Sequence, residues 1–268
     1  MGKNKLRKFA EMEQMQCVYQ YPFAVLESEG GCPMRGRWGA DCFGNDNPLT
    51  LELGCGKGEY TVELARRNSG GNFIGIDIKG ARMWTGAREA TSARLDNVAF
   101  LRTSIELLDR FFEPGEVSDI WITFPDPQMK KARKRLTGTK MLETYRRVLR
   151  PDGVVHLKTD SPFLYRYTLE MLQANDIQPL AACNDIYAYA GLARKYGQPM
   201  PAEFPPALTE VRTYYEQQWL SRGMTIKYIA FRIPEGELRE PDVEIEPDNY
   251  RAYPRHTVMP SDSDKKEN

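Results

Sequence analysis

Leu51-Glu-Leu-Gly-Cys-Gly-Lys-Gly58, followed nineteen residues later by Asp77 at the end of Phe73-Ile-Gly-Ile-Asp77, decides the fold. An apolar strand ending in alternating glycines can turn sharply and bring its backbone against a ligand. A Cβ at Gly54, Gly56 or Gly58 would clash or forbid positive φ. An acid closing the next strand suits a ribose diol. Dinucleotide sites place a similar acid about 20 residues on, but their fingerprint is G-x-G-x-x-G. Here the third glycine comes one residue early and Glu59 stands in its place, which favours a nucleoside cofactor without a pyrophosphate.

S-adenosylmethionine meets that description. It offers an adenosine diol and a zwitterionic tail that backbone groups and the carboxylate of Glu52 can meet. Taken alone, the glycines leave open a strand-to-helix turn with no ligand.

Outward from this run, strands and helices alternate. Strands are expected over Leu49 to Leu53, Asn72 to Ile78, Val98 to Arg102, Asp119 to Phe124 and Gly153 to Thr159. Helices over Glu59 to Arg67, Ala81 to Arg94, Ile105 to Phe112, Lys140 to Leu149 and Phe163 to Gln173 lie between or after them. Short buried strands interleaved with amphipathic helices predict a doubly wound α/β sheet, largely parallel. A sixth strand near Ile177, a helix over Tyr214 to Ser221 and a last strand over Thr225 to Ile233 complete seven strands, the last giving the sheet an antiparallel edge. Gly191 to Pro206 reads as an inserted loop rich in Gly and Pro.

The organisation expected is a basic, then Gly-rich approach segment over 1–47 with no secure regular element, a catalytic domain over 48–234, and a polar tail over 235–268, disordered or loosely draped. The formal net charge is zero but unevenly spread. The tail holds ten acidic against five basic residues, which leaves the rest with a net of +5. Lys3, Lys5, Arg7 and Lys8, and then Lys130-Lys-Ala-Arg-Lys-Arg135, concentrate that excess, as a polyanionic partner requires. Five cysteines without a C-x-x-C pair and only two histidines argue against disulfides and a structural metal. The longest apolar runs are strand-length, far too short for a bilayer, and the start lacks the apolar core of a secretory signal. A cytoplasmic protein is expected, of unspecified oligomeric state.

Further carboxylates fall at strand ends. Asp126, in Ile122-Thr-Phe-Pro-Asp-Pro127, should face the same crevice as Glu52 and Asp77, because ligands of open α/β sheets sit beyond the carboxyl ends of the strands. Asp160 ends the fifth strand, although Thr159, Asp160 or Ser161 could equally cap the next helix with Pro162 as its first residue. Thr213-Tyr-Tyr-Glu216 has the spacing of a capping box. Carboxylates beside a basic patch suit a nucleic-acid base: lysines and arginines hold phosphates, and a carboxylate accepts from the N1 and N2 donors of guanine.

These elements together resemble the bacterial-type tRNA (guanine-N7)-methyltransferases. The resemblance rests on Gly2-Lys-Asn-Lys-Leu-Arg-Lys-Phe9, Phe43-Gly-Asn-Asp-Asn-Pro48, Glu52 to Gly58, Gly75-Ile-Asp77, Phe124-Pro-Asp-Pro-Gln-Met-Lys-Lys131, Lys158-Thr-Asp160 and Thr213 to Glu216. It implies methyl transfer from S-adenosylmethionine to N7 of a guanine in the variable loop of tRNA. It also implies cofactor contacts at Glu52, Asp77 and Ser104, with Gly54 and Gly56 in the cofactor turn. Asp126 would be the catalytic residue at the junction of cofactor and base. Lys130, Asp160, Thr213 and Glu216 would meet the substrate. Gln128, where many members carry tryptophan, and Ser104, where many carry aspartate, depart from the pattern.

Overall fold

The computed structural model describes residues 3–27 and 32–249, and its centre is a sheet built from the apolar runs. The strands are β1 (Val18–Tyr19), β2 (Leu49–Leu53), β3 (Asn72–Ile76), β4 (Val98–Leu101), β5 (Val117–Thr123), β6 (Leu149–Thr159), β7 (Ala181–Cys183) and β8 (Lys227–Phe231). Their order is β1-β4-β3-β2-β5-β6-β8-β7. All pairings from β1 through β6 are parallel, and β8 runs antiparallel to both of its neighbours, β6 and β7. The strand order reverses between β2 and β5, which opens a crevice at their carboxyl ends.

Helices cover both faces: α1 (Lys3–Met12), α2 (Phe23–Glu27), α3 (Glu59–Arg67), α4 (Gly80–Ala93), α5 (Leu108–Phe111), α6 (Thr139–Arg146), α7 (Pro162–Ala174), α8 (Ile186–Lys195), α9 (Ala207–Glu210) and α10 (Tyr214–Ser221). Because strand side chains alternate, Ile74, Ala99 and Ile120 join one core with Met141, Leu164 and Met171. Their chain neighbours Phe73, Phe100 and Trp121 join the other, with Val62, Met83 and Ala87. Burial on both faces is why these strands read as continuous apolar runs.

Among the described residues the sheet has eight strands where seven were expected. The extra one is the two-residue β1, too short to carry an alternation signal. It is fixed by Phe100 N–H donating to Cys17 O (2.7 Å) and Arg102 N–H donating to Tyr19 O (2.9 Å). The N-terminal segment, read as irregular, contains α1. This helix docks through the fully buried Met12 and through Glu11, which accepts from Trp84 Nε1 at 2.6 Å. The loop expected from Gly191 begins instead inside α8. Asp185 caps that helix on the N–H groups of Tyr187 and Ala188, and a Cβ at Gly191 would meet nothing within 4 Å, so the glycine is carried as a surface residue.

After Ile233 no helix or strand forms as far as residue 249. That stretch, read above as part of a disordered or loosely draped tail, makes specific contacts along α7, and its Leu238 is buried in the core. The remainder of the tail, with Gly2 and residues 28–31, lies outside the described residues. Among the described residues no helix is long and apolar enough to cross a membrane.

Candidate active site

The turn between β2 and α3 bends through three left-handed glycines, Gly54 (φ 74°), Gly56 (57°) and Gly58 (74°). Gly58 is required for packing as well: a Cβ there would lie 2.5 Å from the Phe100 ring and 3.3 Å from Gly86 Cα. Asp77, just past β3, reaches back to the turn. Its Oδ2 accepts from Gly56 N–H at 3.0 Å and its Oδ1 from Lys79 N–H at 2.7 Å, so acid and glycine turn are held as one unit.

Glu52 lies beneath this turn, 3% exposed. Its Oε2 accepts from the Thr61 N–H (2.8 Å) and hydroxyl, and its Oε1 accepts from the Thr123 hydroxyl at 2.5 Å. Burial pushes its pKa up to about 7 although all these hydrogen bonds favour the ionised form. Glu52 therefore braces β2, α3 and β5 against one another at the floor of the crevice.

Glu52, Gly54, Gly56, Asp77 and Thr213 line a single crevice, joined by Thr123, Phe124 and Tyr215. A nucleoside with an amino-acid tail fits this set: a carboxylate fixed beside a glycine turn for a diol, backbone without Cβ for close approach, and Thr213 and Tyr215 in the same lining. The sheet order and the crevice at its switch point make a Rossmann-like α/β fold with a site at the carboxyl ends of the strands.

Ser104 stands just beyond β4, at the same end of the sheet, and its hydroxyl donates to Glu106, lowering the pKa of that carboxyl. Asp126 follows β5 on a loop with unusual backbone. Phe124 (φ 48°) and Gln128 (φ 49°) are two of the four non-glycine residues with left-handed φ among those described, and they flank it. Such conformations cost on the order of 1 kcal/mol or more and collect where geometry is functional. Asp126 is exposed, with Oδ1 accepting from Gln128 N–H at 3.0 Å. Lys130, Lys131, Arg133 and Lys134 are also exposed. Arg135 turns inward instead, over the Tyr167 ring at 4.3 Å, and donates to Gln128 O (3.3 Å) and Met129 O (2.9 Å).

Asp160 closes β6, 5% exposed, and its backbone carbonyl accepts from Lys227 Nζ at 3.2 Å. Burial lowers the pKa of Lys227, against the pull of Asp160. The cap of α7 is Ser161, whose hydroxyl accepts from Leu164 N–H, with Pro162 at the first helical position. Thr213 caps α10 by accepting from Glu216 N–H at 3.2 Å. Glu216 does not return the bond. Its carboxylate is fully buried, paired with Lys158 at 2.8 and 2.9 Å and accepting from the Tyr187 hydroxyl at 2.8 Å.

Lys158 belongs to the motif Lys158-Thr-Asp160, but the sequence reading assigns it no role. It is fully buried, it also donates to Val211 O at 3.0 Å, and burial pushes its pKa down to about 8 while Glu216 pulls it back. A lysine inside the apolar strand Val154-Val-His-Leu-Lys158 was the available signal. Thr61 and Thr123, which hold Glu52, carried none.

A family model described as "Putative methyltransferase" matches residues 46–229. The tRNA (guanine-N(7)-)-methyltransferase of Porphyromonas gingivalis is 56% identical over 247 residues, 91% of this chain and 96% of that one. The protein of the same name from Bacteroides thetaiotaomicron is 52% identical over 256 residues, 95% and 96% of the two chains. Among solved structures, an antibiotic-related methyltransferase aligns with TM-score 0.51 at 14% identity over 72% of this chain and 90% of that one, a likeness of fold alone. The chain belongs to the tRNA (guanine-N7)-methyltransferase family.

Proposed function

We propose that this chain moves the methyl group of S-adenosylmethionine to N7 of a guanine in the variable loop of tRNA. One adjacency carries the reading: Thr123 and Phe124 line the cofactor crevice, and Asp126 stands exposed two residues further on. The names of relatives up to 56% identical support it. When bound, S-adenosylmethionine supplies an electrophilic methyl group. Guanine N7 presents a lone pair that needs no deprotonation, so the protein's task is alignment and electrostatics rather than strong base catalysis.

The residues divide that task. Asp77 takes the ribose diol and the backbone at Gly54 and Gly56 lies against the cofactor, with Glu52 supporting the turn from beneath. Ser104 and Glu106 serve the adenine end. Asp126, whose Oδ1 is committed to the Gln128 turn, uses its carboxylate on the donor edge of guanine and offsets the positive charge of the N7-methylated ring. Asp160 and Thr213 border the base, and Lys130 with its exposed neighbours holds phosphates. Glu216 acts from within, fixing the start of α10 beside the crevice through Lys158. The cytoplasm, where tRNA resides, is the compartment this reading requires.

The test is transfer of labelled methyl to tRNA lacking N7-methylguanine, with the modified nucleoside identified, for wild type and Asp126→Ala. Label at guanine N7, lost in the variant while S-adenosylhomocysteine still binds, is expected. Label on another base, or tRNA binding without transfer, would refute the reading.

A further inference from the structure

Residues 238–248 run the length of α7 and are fastened to it at both ends. At its carboxyl end, Asn175 and Arg239 exchange two hydrogen bonds, Asn175 Nδ2 to Arg239 O (2.8 Å) and Arg239 N–H to Asn175 Oδ1 (2.7 Å). Midway, Glu240 Oε2 accepts from the Tyr167 hydroxyl at 2.7 Å, while its Oε1 accepts from the Thr139 hydroxyl (2.7 Å) and N–H (3.2 Å), tying α7 to the start of α6. At the amino end, Asp248 Oδ1 accepts from Phe163 N–H at 2.8 Å and Oδ2 from the Ser161 hydroxyl at 2.5 Å. A carboxylate there also meets the positive end of the helix dipole. Extended chain covers about 3.3 Å per residue and helix about 1.5 Å, so this stretch spans the 13 residues of α7 with slack to spare.

These contacts converge on the loop that carries Asp126. Tyr167, held by Glu240, is the ring on which Arg135 stacks, and Arg135 in turn holds the carbonyls of Gln128 and Met129. Gln128 N–H is the group that turns Asp126. Asp248 reaches the same loop directly, its N–H donating to Met129 Sδ at 3.1 Å. Ser161, its other partner, immediately follows Asp160.

We propose that Glu240 and Asp248 are positioning residues: the segment after β8 is a strap that locks the Asp126 loop and the start of α7 in the geometry that meets the nucleobase. The proposal rests on the function given above. None of the strap residues lines the cofactor crevice, so its action is confined to the substrate side.

The experiment uses the full chain with Glu240→Gln, Asp248→Ala or Asp248→Asn, beside wild type and Asp126→Ala. It measures kcat and KM for tRNA and the Kd of S-adenosylhomocysteine. For Glu240→Gln and Asp248→Ala, kcat falls on the order of ten- to a hundredfold, the cost of misplacing a reacting group, with S-adenosylhomocysteine binding unchanged. Asp248→Asn, which keeps an acceptor for the Phe163 N–H, recovers most of the loss. Unchanged kcat in both strap variants alongside an inactive Asp126→Ala would overturn the strap and leave the function standing. A faster reaction or tighter tRNA binding would make the segment inhibitory, and a parallel loss of S-adenosylhomocysteine affinity would reduce it to a general stabiliser; either overturns the proposal. Wild type that forms no N7-methylguanine would remove the function and the strap's role together.

Discussion

Replacing Glu52 by Gln removes a buried titratable carboxyl from beneath the glycine turn. The amide can still accept from Thr61 N–H through its oxygen and donate to the Thr123 hydroxyl through its nitrogen. Burial lifts the wild-type carboxyl from 4.5 to about 7. The fold therefore prefers the protonated form. Its stabilising contribution is fully present below about pH 4.5 and is lost as the pH rises through about 7. At about 1.4 kcal/mol per pH unit, that displacement corresponds to about 3 kcal/mol, most of it falling between about pH 5 and about pH 8. Urea unfolding of the cofactor-free protein at those two pH values measures it. Wild type should lose about 2–3 kcal/mol more than Glu52→Gln over the interval. Parallel losses in the two proteins would mean that Glu52 is ionised throughout and that its hydrogen bonds outweigh its burial.

Lys158→Met strands the Glu216 carboxylate in the interior and should cost roughly 3–5 kcal/mol, whereas Lys158→Met combined with Glu216→Leu should recover most of that; denaturant midpoints decide, and additive losses would argue against a coupled pair. Changing the exposed Lys130, Lys131, Arg133 and Lys134 to Gln should weaken tRNA binding and flatten the plot of log affinity against log salt by roughly 0.7–0.9 for each phosphate no longer neutralised. An unaltered slope would take this loop out of the RNA interface.

Local signals in the chain were sufficient where the structure is local. The spans of α3 and α10 match those read from periodicity and capping residues, and the glycine turn with Asp77 needs only its own spacing. Partners distant in sequence were not legible. Thr213-x-x-Glu216 looks like a capping box, and Thr213 does cap, but Glu216 turns inward to a lysine 58 residues away. Arg135 counted toward a basic patch, yet the rings of Phe163 and Tyr167 draw it inside. The tail has the charge and proline content of an unfolded segment. The attachment of its described part, up to residue 249, depends on Leu238 and on polar groups of α6 and α7 that its own composition does not reveal.

The position of β8 bears on how this protein is made. Among the described residues it is the last strand in sequence but an interior strand of the sheet, and its residues Lys227 to Phe231 pair with β6 from Thr159 back to Val155. During synthesis the edge of β6 exists some seventy residues before its neighbour does, roughly 4–14 s at ordinary elongation rates. Through that interval its N–H and C=O groups can pair with any extended chain that reaches them. Messages cut short before residue 231 therefore yield an unfinished sheet with an open seam rather than a smaller enzyme.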